Sequence, residues 1–151
     1  MKTIIIYASV HGSTKWCAEQ LAKKLPGEVT THSVDEATSL AEFDQVILGT
    51  AIYAQKALPS MARFCKENKD ELLSKPLGLF MCSLSLKSVS KAFSEQLNNH
   101  ALFSDNFGGR INLDEVSAPE KAILKIINQH QNQDSVSQEK IDNFASYFVG
   151  K

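Results

Sequence analysis

Two hydrophobic rhythms alternate along the chain. One is a short, nearly unbroken apolar run: "TIIIYA" at Thr3–Ala8, "QVILG" at Gln45–Gly49 and "LGLFMC" at Leu77–Cys82. Runs of this length, apolar at successive positions, suit parallel strands buried on both faces. Glu28–Val34 alternates more weakly and reads as a second strand, and Asn106–Leu113, with two glycines, as a fifth. The other rhythm repeats every three or four residues, as on one face of a helix. It occurs in Ser13–Leu25 (Ala18, Leu21, Ala22, Leu25), which Pro26-Gly27 stops. It recurs in Pro59–Asn68, Ser88–Leu102, Ala118–Asn128 and Ser137–Val149. Asp35–Phe43 has room for a helical turn or two, and Thr50–Leu58 reads as a loop.

Strands that alternate with helices predict an α/β fold around a parallel sheet, with right-handed crossovers placing helices on both faces. No internal repeat or linker interrupts the pattern, so residues 1–151 read as one domain. In such sheets ligands bind beyond the carboxyl ends of the strands, where the strand order reverses. The stretches that follow strands one, three and four are therefore the places to look for chemistry.

Composition narrows the picture. Hydrophobic residues make up 43% of the chain, enough for a sizeable core. The net charge of −1, without a basic stripe interleaved with aromatics, argues against a nucleic-acid partner. No apolar stretch approaches the length of a membrane span, and the short run after Lys2 reads as a strand rather than a leader, so a cytoplasmic protein is expected. The cysteines Cys17, Cys65 and Cys82 are far apart and form no C-x-x-C pair; they read as reduced thiols in or near the core.

After the first strand comes Ser9-Val10-His11-Gly12-Ser13-Thr14, directly before a helix. Hydroxyls, a glycine that lets the backbone approach closely, and helix N-terminal N–H groups suit a phosphate. Simple helix capping is the competing reading, although one hydroxyl would suffice for that. Neither a Walker motif nor G-x-G-x-x-G is present, so a monophosphate fits better than a nucleoside triphosphate or dinucleotide. No Ser-His-Asp set, carboxylate pair or metal cluster stands out, so no catalytic side chain or metal ligand is assigned.

The hydroxyl-rich loop resembles that of the flavodoxin-like family, in which S-x-x-G-[ST]-T holds the phosphate of FMN. "VILGTAIYAQKALPS" is similar to the branch containing the menaquinone-dependent protoporphyrinogen oxidases, through Gly49, Thr50, Ile52 and Tyr53. "FGG" at Phe107–Gly109 also looks like that branch. The resemblance implies a three-layer sandwich on a five-stranded parallel sheet of order 2-1-3-4-5. It implies FMN, with its phosphate on Ser9, Val10, His11, Gly12, Ser13 and Thr14. The ring would lie between Thr50, Ala51, Ile52 and Tyr53 on one side and Cys82, Ser83, Leu84 and Ser85 on the other.

Three departures qualify the match. Gln55 replaces a family glycine, Ser83–Lys87 lacks the aromatic that electron carriers stack on the flavin, and the chain is not strongly acidic. The last two departures favour an oxidoreductase passing electrons between a small substrate, of the protoporphyrinogen kind, and a quinone-type acceptor. A diffusible flavodoxin-type carrier that docks on a protein and a non-redox binding protein are the alternatives. Tyr53 covers the flavin or packs on a helix; Trp16 shields the phosphate or packs on the surface; Lys56 and Lys87 meet an anionic substrate or stay solvated. His32, His100 and His130 read as surface residues. The isoleucine stripe of Ala118–Asn128 reads as core, with peripheral contact to a quinone-bearing membrane as the alternative.

Overall fold

The computed structural model describes residues 2–9, 13–36, 39–53, 56–82, 93–107, 110–111, 133–134 and 138–147. β1 (Lys2–Ala8), β2 (Glu28–Ser33), β3 (Gln45–Tyr53), β5 (Leu77–Cys82) and β6 (Phe103–Asn106) form a parallel sheet. Its spatial order is β2-β1-β3-β5-β6. Counting parallel strands alone, this is the expected 2-1-3-4-5. β4 (Lys56–Ala57) adds an antiparallel step against the end of β3. α1 (Ser13–Lys24), α2 (Pro59–Glu67), α3 (Lys69–Leu73), α4 (Glu95–His100) and α5 (Gln138–Ser146) complete the layers, and β7 (Arg110–Ile111) pairs separately with β8 (Gln133–Asp134).

Each central strand buries both faces, which is why its sequence reads as a continuous apolar run. Ile4, Ile6, Val46, Leu48, Leu77, Leu79 and Met81 point to one side and pack against Met61 and Phe64 of α2, Leu72 of α3 and Leu97 of α4. The intervening Ile5, Ile47, Phe80 and Cys82 point to the other and meet Cys17, Ala18 and Leu21 of α1 and Ile141 and Phe144 of α5. Helix ends follow local rules. Gly27, at φ 79°, turns the chain out of α1 in a conformation that side chains disfavour. Pro59 opens α2, and Ser94 Oγ accepts from the Leu97 N–H at 3.3 Å to cap α4.

Several expected boundaries move. Thr50–Leu58 is not a plain loop: β3 runs on to Tyr53 and folds back as a hairpin, Tyr53 pairing with Lys56. The expected fifth strand at Asn106–Leu113 is displaced. Phe103–Asn106 is the strand that pairs with β5, and Arg110–Ile111 joins the separate ladder. "FSDN" has little strand propensity of its own; the exposed edge of β5 supplies the pairing, and propensity yields to it. The strand ends where the Phe107 N–H reaches the Met81 carbonyl at 2.9 Å and its ring turns into the core. α4 ends before Leu102, because the Leu102 N–H already donates to the Leu77 carbonyl at 2.8 Å. The sequence pattern assigned nothing to Lys69–Leu73, where a short helix buries Leu72. The expected helix Ala118–Asn128, its isoleucine stripe and the first residues of Ser88–Leu102 lie outside the described residues. No described helix is long and apolar enough to cross a membrane.

Cys65 of α2 packs against the first core cluster, and burial pushes its thiol from 9.0 to about 12. The folded protein therefore keeps a proton that the unfolded chain releases above pH 9, so this contribution to stability is complete below about pH 9 and is lost as the pH rises toward 12. Urea unfolding midpoints should fall on going from neutral to alkaline buffer, and Cys65→Ala should make that fall shallower. An unchanged slope in the variant would remove Cys65 as the cause.

Candidate functional site

Strand register assembles the site. Ala8 pairs with Thr50, Thr50 with Met81, and Ala51 with Cys82. The three stretches singled out in the sequence thus leave neighbouring strands at one level of the carboxyl edge. α1, 12 residues long, starts at the same edge and aims its N-terminal N–H groups and dipole there. Ser9 follows β1 and is half-buried. Val10, His11 and Gly12 lie outside the described residues, as do Gln55, Ser83, Leu84, Ser85, Lys87, Gly108 and Gly109; only the backbone of Ser13, Ile52, Tyr53 and Lys56 is described.

Thr14, in the first turn of α1, is fully buried, and its hydroxyl has no hydrogen-bond partner among the described residues. The Cys82 thiol lies beside it, and sulfur is a poor substitute for water. A buried hydroxyl left this way costs about 1–3 kcal/mol. Such a group, at a helix N-terminus on the ligand edge of the sheet, fits an anionic oxygen as its missing acceptor.

Thr50 behaves differently. Its hydroxyl donates to the Ala51 carbonyl at 2.8 Å and accepts the Leu58 N–H at 3.2 Å, so it locks the hairpin. Ala51 is half-buried beside Cys82. Cys82 and Cys17 are buried free thiols with sulfurs 3.4 Å apart. Contact with Cys17 is the main cause that pushes the Cys82 thiol well above its ordinary value; burial adds to it and Thr14 opposes it. Sequence reasoning missed this pair, because 65 positions separate its members. The only signal was that each falls beside a candidate ligand stretch.

Other residues sit apart from this edge. His100 is half-buried and its ring bonds the Lys75 carbonyl at 2.7 Å, while Lys75 Nζ donates to the Phe43 carbonyl at 2.6 Å. His100 is therefore a structural tie and not the expected surface residue. His32, also expected at the surface, is half-buried within β2. Trp16 packs on the α1–α5 side of the core. His130 lies outside the described residues. Among the described residues no group of three or more His, Cys, Asp or Glu could hold a metal ion.

A family model described as Flavodoxin domain matches residues 4–138. The chain belongs to the flavodoxin domain family. Among solved structures, an archaeal flavodoxin superposes with a TM-score of 0.61 at 17% identity, covering 98% of this chain and 99% of that one. A Lactobacillus acidophilus flavoprotein solved in complex with FMN gives 0.51 at 15% identity, covering 72% and 91%. Rubredoxin oxygen:oxidoreductase from Desulfovibrio gigas gives 0.59 at 17% identity and covers 95% of this chain; the chain spans 36% of that protein. At these identities the likeness concerns the fold. No curated protein matches the sequence.

Proposed function

We propose that this chain is an FMN-binding redox domain. The observation that carries the reading is the buried Thr14 hydroxyl at the start of α1, which has no hydrogen-bond partner among the described residues, in a chain of the flavodoxin family. The FMN named for the L. acidophilus flavoprotein agrees with it. Ser9, Val10, His11, Gly12, Ser13 and Thr14 would hold the phosphate. Thr50–Tyr53 and Cys82–Ser85 would flank the ring, since their strands emerge side by side. FMN, when bound, supplies the capacity to accept and return electrons. The protein's part is to bind, orient and shield. The helix dipole and hydroxyls would hold the phosphate by charge–dipole attraction and hydrogen bonds, and the Thr50 hydroxyl fixes the hairpin that carries Ile52 and Tyr53.

Within this reading we favour a small-substrate oxidoreductase in the cytoplasm, built as a single domain. It would take electrons from a protoporphyrinogen-like molecule and pass them to a quinone. The lack of an aromatic in Ser83–Lys87 and the near-neutral charge support it. A diffusible carrier is the second reading, favoured by the full-length correspondence with the archaeal flavodoxin. The test has two stages. FMN added to the purified chain should quench the fluorescence of Trp16, the only tryptophan, at one equivalent. The reduced holoprotein should then be reoxidised faster by a menaquinone analogue than by a one-electron redox protein. Absence of saturable quenching sinks the FMN reading. A preference for the protein acceptor turns the conclusion to the carrier.

A further inference from the structure

The buried thiols of Cys17 and Cys82 are not needed for holding a phosphate. They come from different layers, one from α1 and the other from the last residue of β5, yet their sulfurs lie 3.4 Å apart. A disulfide needs about 2.05 Å, so closing the bond asks for an approach of only about 1.3 Å. A buried free cysteine usually packs as a small hydrophobe; what sets these two apart is that their sulfurs are in direct contact across two layers.

We propose that Cys17 and Cys82 form a reversible dithiol–disulfide pair at the base of the ligand edge. Its oxidant is a low-molecular-weight disulfide. The Cys82 thiolate attacks one sulfur of that disulfide and releases the first small thiol, leaving a mixed disulfide on Cys82. The Cys17 thiolate then attacks Cys82 Sγ; the protein S–S bond forms and the second small thiol leaves. Two protein thiols are oxidised and one small disulfide is reduced to two thiols, so atoms and electrons balance. Cys82 is the entry sulfur because it ends its strand and keeps 4% exposure, whereas Cys17 has none. The attacking species is the thiolate, and the Cys82 proton is held tightly in the reduced pair. Exchange is therefore slow at neutral pH and accelerates as the pH rises.

Closure has a mechanical consequence. Thr14 stands one helical turn before Cys17 and touches Cys82. Drawing the two sulfurs together moves the first turn of α1 relative to β5, and the candidate phosphate site belongs to that turn. This consequence rests on the FMN reading; bond formation itself does not.

The experiment treats the folded full chain with 2-hydroxyethyl disulfide, a small neutral oxidant. The Cys65→Ser variant serves beside the wild type to remove the third thiol. We expect both proteins to lose two hydrogens in intact mass and to yield one linked peptide pair joining Cys17 to Cys82. Dithiothreitol should restore the starting mass, and the rate should increase with pH. Trp16, next to Cys17 in the chain, should change its fluorescence in step with the mass. FMN affinity should fall about tenfold in the oxidised form and recover on reduction. A stable mixed adduct without ring closure, a link through Cys65, or linkage only in denaturant overturns the pair. If the pair closes in a protein that binds no FMN even when reduced, the FMN reading fails and the disulfide stands.

Discussion

Gly49→Ala is expected to cost about 3 kcal/mol of folding stability. Gly49 lies opposite Phe80 across the β3–β5 ladder. The Phe80 ring covers the glycine so closely that an added Cβ would sit 2.0 Å from its Cζ and 2.4 Å from both Cε atoms. Ring tips can often swing away, but this one has nowhere to go. It stacks on Phe107 with centroids 4.9 Å apart and meets Phe144 edge-on at 6.2 Å. All three rings are fully buried. Urea denaturation should show a large fall in midpoint, and Gly49→Ala with Phe80→Leu should recover part of it, giving a favourable coupling energy in a double-mutant cycle. A Gly49→Ala protein within about 0.5 kcal/mol of wild type would show that the ring does not depend on the missing side chain. Gly49 also belongs to the stretch that suggested a ligand site. Its role in the fold is to let an aromatic lie across the sheet just below that site.

The second large effect concerns Thr14, and its two halves have opposite signs. Thr14→Val removes a buried hydroxyl that has no partner among the described residues while keeping the side-chain shape. The ligand-free protein should gain about 1 kcal/mol, since the desolvated group no longer has to be accommodated. FMN affinity should fall by about 1.5–3 kcal/mol, the usual worth of a hydrogen bond to a charged oxygen, or roughly ten- to a hundredfold in Kd. Thermal unfolding without ligand and fluorescence titration with FMN measure the two halves separately. A threonine that only capped α1 would give the reverse in the first measurement, with stability lost, and no change in the second.

Residue pattern alone dictates the strands that are buried on both faces. Ile4–Ile6, Val46–Leu48 and Leu77–Met81 could be read directly, because a parallel strand with helices on each side must be apolar at every position. It also determined α1 and α2, whose boundaries are set by local chemistry at Pro26-Gly27 and Pro59. The hydroxyl-rich run Ser9–Thr14 could be placed at the carboxyl edge of the sheet from the element order alone, since a strand followed by a helix leaves only that end to receive it. Contacts between segments set the rest. β6 is a strand because β5 offers it hydrogen bonds, although Asp105 and Asn106 favour turns. The end of β3 became a hairpin because Thr50 could hold Leu58, a contact across eight positions. Gly49 gained its meaning only when Phe80 lay over it, and Cys17 found Cys82 only when α1 packed on the sheet. In each case the deciding interaction joins residues distant in sequence. A periodicity reports what one segment must bury; it carries no information about which particular atoms will meet it there.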